Sequence, residues 1–152
     1  MTTHDLWRGY FYEELEVGQT FDGGRVTITE AHVVSTSQLY GDFHPFHVDD
    51  IYVRSTPFGR RFAHGILTAG LVIAPINRIM GTAAATHLED HIRYTAPVFI
   101  GDTLRTTIEV LAKEQRSRFG IVRYRHIGTD QDDKVVVEVE TVMGHKYLAE
   151  SA

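Results

Sequence analysis

One stretch limits what this chain can fold into. Residues 66–80 hold Ile66, Leu67, Ala69, Leu71, Val72, Ile73, Ala74, Ile76, Ile79 and Met80, and no Asp or Glu. Set on a helix, these side chains cover almost every face, and a helix apolar all round is buried on all sides. Pro75 predicts a kink or a break inside the run, because proline removes a backbone donor and crowds the preceding turn. Gly81 predicts its end. The fold must therefore wrap one central helix.

The remaining sequence offers strands to do so. Residues 25–29, 87–94, 103–111, 121–127 and 135–143 are β-branched or alternating. Leu104, Ile108 and Val110 share one side against Arg105, Thr107 and Glu109. Val135, Val137, Val139 and Met143 share a face of a hairpin that turns through Asp130, Gln131, Asp132 and Asp133. Thr29 is expected to cap a short helix, with Glu30 in its first turn, Val33, Val34, Ser37 and Leu39 as a partly apolar face, and Tyr40-Gly41 as its end. Residues 48–54 read as one or two helical turns with Ile51 and Val53 buried. Residues 1–21 read as an arm whose aromatic rings (Trp7, Tyr10, Phe11, Tyr12, Phe21) pack on the body. The expected architecture is α+β, a single domain over residues 1–152 in which a curved antiparallel sheet of about five strands wraps the long helix.

Composition removes several function classes. There is no cysteine, which excludes disulfides, thiolate metal sites and a cysteine nucleophile. The first residues show no basic region followed by an apolar run, so no signal peptide is expected. Residues 66–76 are interrupted by Thr68, Gly70 and Pro75 and read as too short to span a bilayer, so a cytoplasmic protein without membrane contact is expected. The net charge of −5 argues against nucleic acid, which needs a clustered basic footprint. It does not oppose a small anionic ligand. Arg60-Arg61 and the group Arg116, Arg118, Arg123 and Arg125 are local basic clusters, although a solvated face explains any single arginine equally well.

The chemistry concentrates in Tyr40-Gly41-Asp42-Phe43-His44-Pro45-Phe46-His47. Pro45 prevents Asp42 and His47 from sharing the face of an uninterrupted helix and pushes His44 toward an extended conformation. A rigid loop entered through Gly41 then aims a carboxylate and an imidazole at one spot. Those groups can move a proton and activate water. A second reading stays open at this point. Asp42, His44, His47, Asp49 and Asp50 could also ligate zinc or iron. The remaining histidines, His4, His32, His87, His91, His126 and His145, show no partner pattern and are assigned no role.

Three blocks in order, Tyr40 through His47, then Phe62-Ala63-His64-Gly65-Ile66-Leu67, then Tyr94-Thr95-Ala96-Pro97-Val98-Phe99-Ile100-Gly101-Asp102-Thr103, resemble the MaoC-like, R-specific (type 2) enoyl-CoA hydratases. The resemblance covers nearly the whole chain and implies the hot-dog fold. It implies reversible syn hydration of a trans-2-enoyl-CoA to the (R)-3-hydroxyacyl-CoA, without a metal or other cofactor, CoA being part of the substrate. It also implies a homodimer, or an assembly of such dimers. Asp42 and His47 match the family's catalytic pair, and Gly65 the glycine whose N–H holds the thioester oxygen. Phe43, His44 and His64 are the neighbouring substrate-binding candidates, with Arg60 and Arg61 for the CoA phosphates or a second carboxylate; His64 reads as structural rather than catalytic, its ring bonding the neighbouring loop. His44 stands where many members have asparagine, and Ile73 near where some carry a polar residue. The alternatives are a hot-dog acyl-CoA thioesterase, disfavoured because residues 66–80 lack a carboxylate, and a non-catalytic acyl-CoA-binding module.

Overall fold

A computed structural model describes residues 3–148. Thr20–Thr27 (β1), Ala84–Tyr94 (β2), Thr103–Gln115 (β3), Gly120–Thr129 (β4) and Val135–His145 (β5) form one sheet in the order β1-β3-β4-β5-β2, antiparallel at every pairing. Between β1 and β2 lie Glu30–Tyr40 (α1), Pro45–Val48 (α2), Asp50–Arg54 (α3), Gly65–Ile73 (α4) and Ile76–Met80 (α5). The expected architecture is present, with β1 beginning five residues before the sequence pattern suggested, at Thr20 rather than Arg25.

The central helix is α4 followed by α5. Ala74 and Pro75 keep right-handed helical dihedrals between them, so the chain stays on course although Pro75 has no N–H to donate. One side of this helix fills the concave face of the sheet. Ile76, Ile79 and Met80 pack with Leu15, Ile108, Tyr124 and Met143. Val72 packs with Ile28, Val33, Val98, Leu104 and Val137. Burial on all sides, however, is not what the single chain achieves. Ile66 is 52 % exposed, and Gly70, Ala74 and Asn77 also face outward. The helical stretch Gly65–Ala83, 19 residues with a mean hydropathy of 1.4, is long and apolar enough on those two counts to cross a membrane. The expectation of a run too short to do so is therefore corrected, although the packing of its inner side is that of a core helix.

Local expectations fare unevenly. Thr29 does cap α1, its Oγ accepting from the His32 N–H, and Gly41 ends it in the left-handed region. The buried face of α1 is Val33, Thr36 and Ser37, whereas Val34 and Leu39 are exposed. In α3, Val53 is buried and Ile51 is exposed. In both helices only one narrow stripe is buried. In the N-terminal arm Phe11 and Leu15 are buried while Trp7 stays in solvent. Tyr12 and Phe21 also pack against the core, so the expected ring packing holds apart from Trp7, and backbone adds to it. The Tyr10 N–H donates to the Ile79 carbonyl (2.7 Å), one of the acceptors left over at the end of the central helix.

The concave face also carries polar groups. Tyr124 Oη lies 2.7 Å from His145 Nε2, whose Nδ1 donates to the Tyr10 carbonyl at 2.7 Å. His126 Nε2 meets Thr141 Oγ1 at 3.0 Å, and burial pushes its pKa down to about 4. Two histidines without a sequence pattern are thus core residues, His145 partnered at both nitrogens and His126 at Nε2. Beside His126 on the same face, Gly128 lies where the helix approaches β4. A Cβ there would sit 2.6 Å from Val72 Cγ2 and 2.8 Å from Val137 Cγ1. Gly128→Ala is expected to destabilise the fold by about 1–3 kcal/mol through overpacking. Urea unfolding should show a lower midpoint at unchanged slope.

Candidate active site

The site begins where α1 ends. Gly41, at φ +72°, donates its N–H to the Ser37 carbonyl (2.9 Å) and turns the chain into Asp42. The His44 N–H donates to Asp42 Oδ1 (3.2 Å), and His44 Nδ1 in turn accepts the Phe46 N–H (3.2 Å). His44 is therefore the N-cap of α2, and Pro45 occupies the first helical position, where a missing N–H costs nothing. The proline opens a helical turn that carries His47. The expected rigid loop is only its first half.

His47 is 8 % exposed. Its Nδ1 lies 2.8 Å from the Phe62 carbonyl, which can only accept, so Nδ1 carries the hydrogen and Nε2 keeps its lone pair. Nε2 faces Asp42 Oδ2 at 3.9 Å. That is too long for a direct hydrogen bond and suits one water bonded to both. Burial is the largest influence on the imidazole and holds its pKa below the ordinary 6.5; the Phe62 carbonyl works in the opposite direction. His64 stacks on His47, ring centroids 3.9 Å apart and planes at 27°.

Gly65 follows as the first residue of α4, and the N–H groups of Gly65, Ile66 and Leu67 precede the first intrahelical bond, which Thr68 makes to the His64 carbonyl (3.1 Å). The ring of Tyr94 lies over Gly65. A Cβ at this position would come within 3.0 Å of Tyr94 Cζ. A cleft of ≈ 360 Å³ runs alongside, lined among others by Phe58, Phe62, Gly65, Thr68 and Tyr94.

The other candidates scatter. Phe43 is an exposed ring next to Asp42. Arg60 lies over the Phe99 ring, 4.1 Å from its centroid. Arg61 is corrected as an anion ligand. Its guanidinium is committed to both Glu30 oxygens (2.7 and 2.9 Å), to Asp50 (2.8 Å) and to the His47 carbonyl (3.2 Å). The metal-ligand set read from sequence does not converge either. Asp49 Oδ1 caps α3, Asp50 holds Arg61, and His44 caps α2. The groups that do come together among the described residues are Asp42, His47 and His64, with ligand atoms within 4.8 Å of one another, and these are the ones that could hold a metal ion. Sequence reasoning missed Ser37, the Phe62 carbonyl and Tyr94. The first two give no local signal; Tyr94 stood in a quoted block without a role.

Comparison with known proteins follows the same line. Residues 13–130 match the family model described as "MaoC like domain". An (R)-specific enoyl-CoA hydratase of Rhodospirillum rubrum is 34 % identical over 144 residues, 94 % of this chain and 96 % of that one. A 3-hydroxybutyryl-CoA dehydratase of Methylorubrum extorquens is 35 % identical over 103 residues, 68 % of this chain and 65 % of that one. The unliganded R-hydratase PhaJ1 from Pseudomonas aeruginosa superposes with a TM-score of 0.80 at 33 % identity, covering 90 % of this chain and 86 % of that one. A Mycobacterium tuberculosis protein described as a double hotdog fold superposes at 0.81 with 19 % identity, covering 91 % of this chain and 44 % of that one, a likeness of fold alone. The chain belongs to the MaoC-like domain family, with the hot-dog fold.

Proposed function

We propose that this chain is a hydro-lyase that adds water reversibly across the 2,3 double bond of a trans-2-enoyl thioester of coenzyme A, giving the (R)-3-hydroxyacyl thioester. The observation that carries the reading is the 3.9 Å gap between Asp42 Oδ2 and the lone pair of His47 Nε2. Names of relatives, an (R)-specific enoyl-CoA hydratase and a 3-hydroxybutyryl-CoA dehydratase, support it.

The chemistry needs three things. A water in the gap must lose a proton as its oxygen bonds to C3. C2 must gain a proton. The thioester oxygen must be stabilised as it becomes enolate-like. His47 Nε2 takes the water proton, and Asp42 fixes the water's second hydrogen and shares the proton's return to C2. Because one water supplies hydroxyl and hydrogen from one side, addition is syn. The free N–H of Gly65 takes the thioester oxygen, a donor position worth roughly 3–4 kcal/mol in other enzymes. No step calls for a cofactor.

We also infer a homodimer. The edge strand β2 leaves Leu88, Ile92 and Tyr94 exposed, and Ile66 lies open on the uncovered side of the central helix. A second copy of the chain would cover an apolar edge of this kind.

Loss of the enoyl absorbance of crotonyl-CoA, with chiral analysis of the product, tests the reaction. Asp42→Asn and His47→Gln should each lower kcat by ~10²–10⁴-fold with an unchanged circular dichroism spectrum. Full turnover in either variant removes the mechanism. The base form of His47 is the active one and its pKa is depressed, so kcat/KM should hold down to the ordinary histidine value of 6.5 and fall only below it. An acidic limb centred above that pH contradicts the assignment. Light scattering should give twice the chain mass, and a monomer at assay concentration would refute the dimer.

A further inference from the structure

His64 is a buried imidazole, 1 % exposed, that the proposed chemistry leaves without a task. Its surroundings are specific. Nε2 lies 3.0 Å from the Asp42 carbonyl and 3.1 Å from Ser37 Oγ. A carbonyl only accepts, so the hydrogen of His64 sits on Nε2 and is directed at the backbone of Asp42. Nδ1 is left with a lone pair, buried and without a partner. The flat face of the same ring lies on His47 at 3.9 Å. The residue is also the N-cap of α4, and its carbonyl accepts from the Thr68 N–H (3.1 Å) and from Thr68 Oγ1 (3.2 Å).

We propose that His64 is the positioning residue of the site, holding Asp42 by its backbone and His47 by its ring face so that the carboxylate and Nε2 keep the spacing one water can bridge. The inference rests on the hydration reading above. His64 does not touch the reacting atoms. It connects the Asp42–His47 stretch to the first residue of the central helix, 18 residues beyond His47. Because Gly65 is its covalent neighbour, the N–H that takes the thioester oxygen is registered against the acid–base pair through this one residue.

Few side chains can do this. A phenylalanine offers the flat face but no donor. A glutamine offers a donor but no face. Nδ1 of this ring is buried without a partner, as is Nδ1 of His126 in the core. Ser37, sharing the Nε2 hydrogen, holds the ring to α1 and keeps the donor directed at Asp42.

The test uses His64→Phe and His64→Gln in the full chain with crotonyl-CoA. Each should lower kcat by ~10²-fold, the cost of misplacing reacting groups by about an ångström, with KM little changed. Folding is checked by circular dichroism and the thermal midpoint. The imidazole ¹⁵N spectrum of the unaltered chain gives a readout independent of turnover and of whether the variants fold. It should place a hydrogen on Nε2 of His64 and on Nδ1 of His47. In His64→Gln the His47 ring should lose its upfield ring-current shift. Turnover equal to the unaltered chain in both folded variants, or a hydrogen on Nδ1 of His64, overturns the proposal. Inactive Asp42→Asn and His47→Gln beside fully active His64 variants would overturn the positioning role alone. Active Asp42 and His47 variants would remove the reaction and the positioning role together.

Discussion

The carbonyl of Phe62 decides which nitrogen of His47 is free, and much of the site depends on that one acceptor. It is held in place by backbone on both sides. Phe62 pairs with Phe99 in an isolated antiparallel bridge, its N–H donates to the Phe46 carbonyl (3.3 Å), and the Ala63 N–H donates to the Val98 carbonyl (2.7 Å). This strap lies between α2 and the loop before β3, and two residues later α4 begins. A histidine whose Nδ1 donates to such a fixed carbonyl has its tautomer and its ring plane set before any ligand arrives. Burial in the same place keeps the free nitrogen unprotonated at neutral pH, as a base requires.

The charged groups around the strap act on geometry more than on stability. Arg61 reaches the first turn of α1 through Glu30, the first turn of α3 through Asp50, and the carbonyl of His47. Glu30 and Asp50 are largely exposed, and ion pairs of that kind contribute only about 0–1 kcal/mol. What they fix is the relative position of three short elements, two of which are single helical turns with little cooperativity of their own. Arg60, one residue earlier, stacks over Phe99 at the side of the strap.

Much of this was legible in the sequence, for identifiable reasons. The alternation in β4 and β5 and the all-round apolar run 66–80 are repeated signals, and they fixed the helix-and-sheet architecture. That Asp42 and His47 come together was legible because they lie five residues apart in one block broken by Pro45, and the structure sets them 3.9 Å apart. The rest depends on contacts between distant residues. Nothing near Arg61 reveals that Glu30 will stand beside it, so an arginine pair reads as an anion site. Ser37 is one polar residue on a helix, and only the fold sets it 3.1 Å from His64. The Phe62 carbonyl is backbone and has no side-chain signature. Of the apolar residues expected inward, Val33 and Val53 are buried while Ile51 and Leu39 are exposed, because hydrophobicity alone does not say which stripe of a short helix meets its neighbours.

The acid–base pair and the cleft beside it differ in how complete they are within one chain. Asp42, His47 and His64 are held against one another by contacts within the chain: Asp42 Oδ2 lies 3.9 Å from His47 Nε2, the His47 and His64 rings stack, and His64 Nε2 donates to the Asp42 carbonyl. The cleft beside Gly65 is bounded by Tyr94, whose ring is half exposed at the end of the edge strand β2. The same edge borders the uncovered side of the central helix at Ile66. Covering the helix and closing the cleft are therefore one packing problem, and on the inferred dimer one interface solves both. Chemistry would then be set by residues within the chain, and the size of the acyl group by residues at its edge. On the proposed reaction, that division would let the acyl pocket vary without disturbing the 3.9 Å spacing of Asp42 and His47.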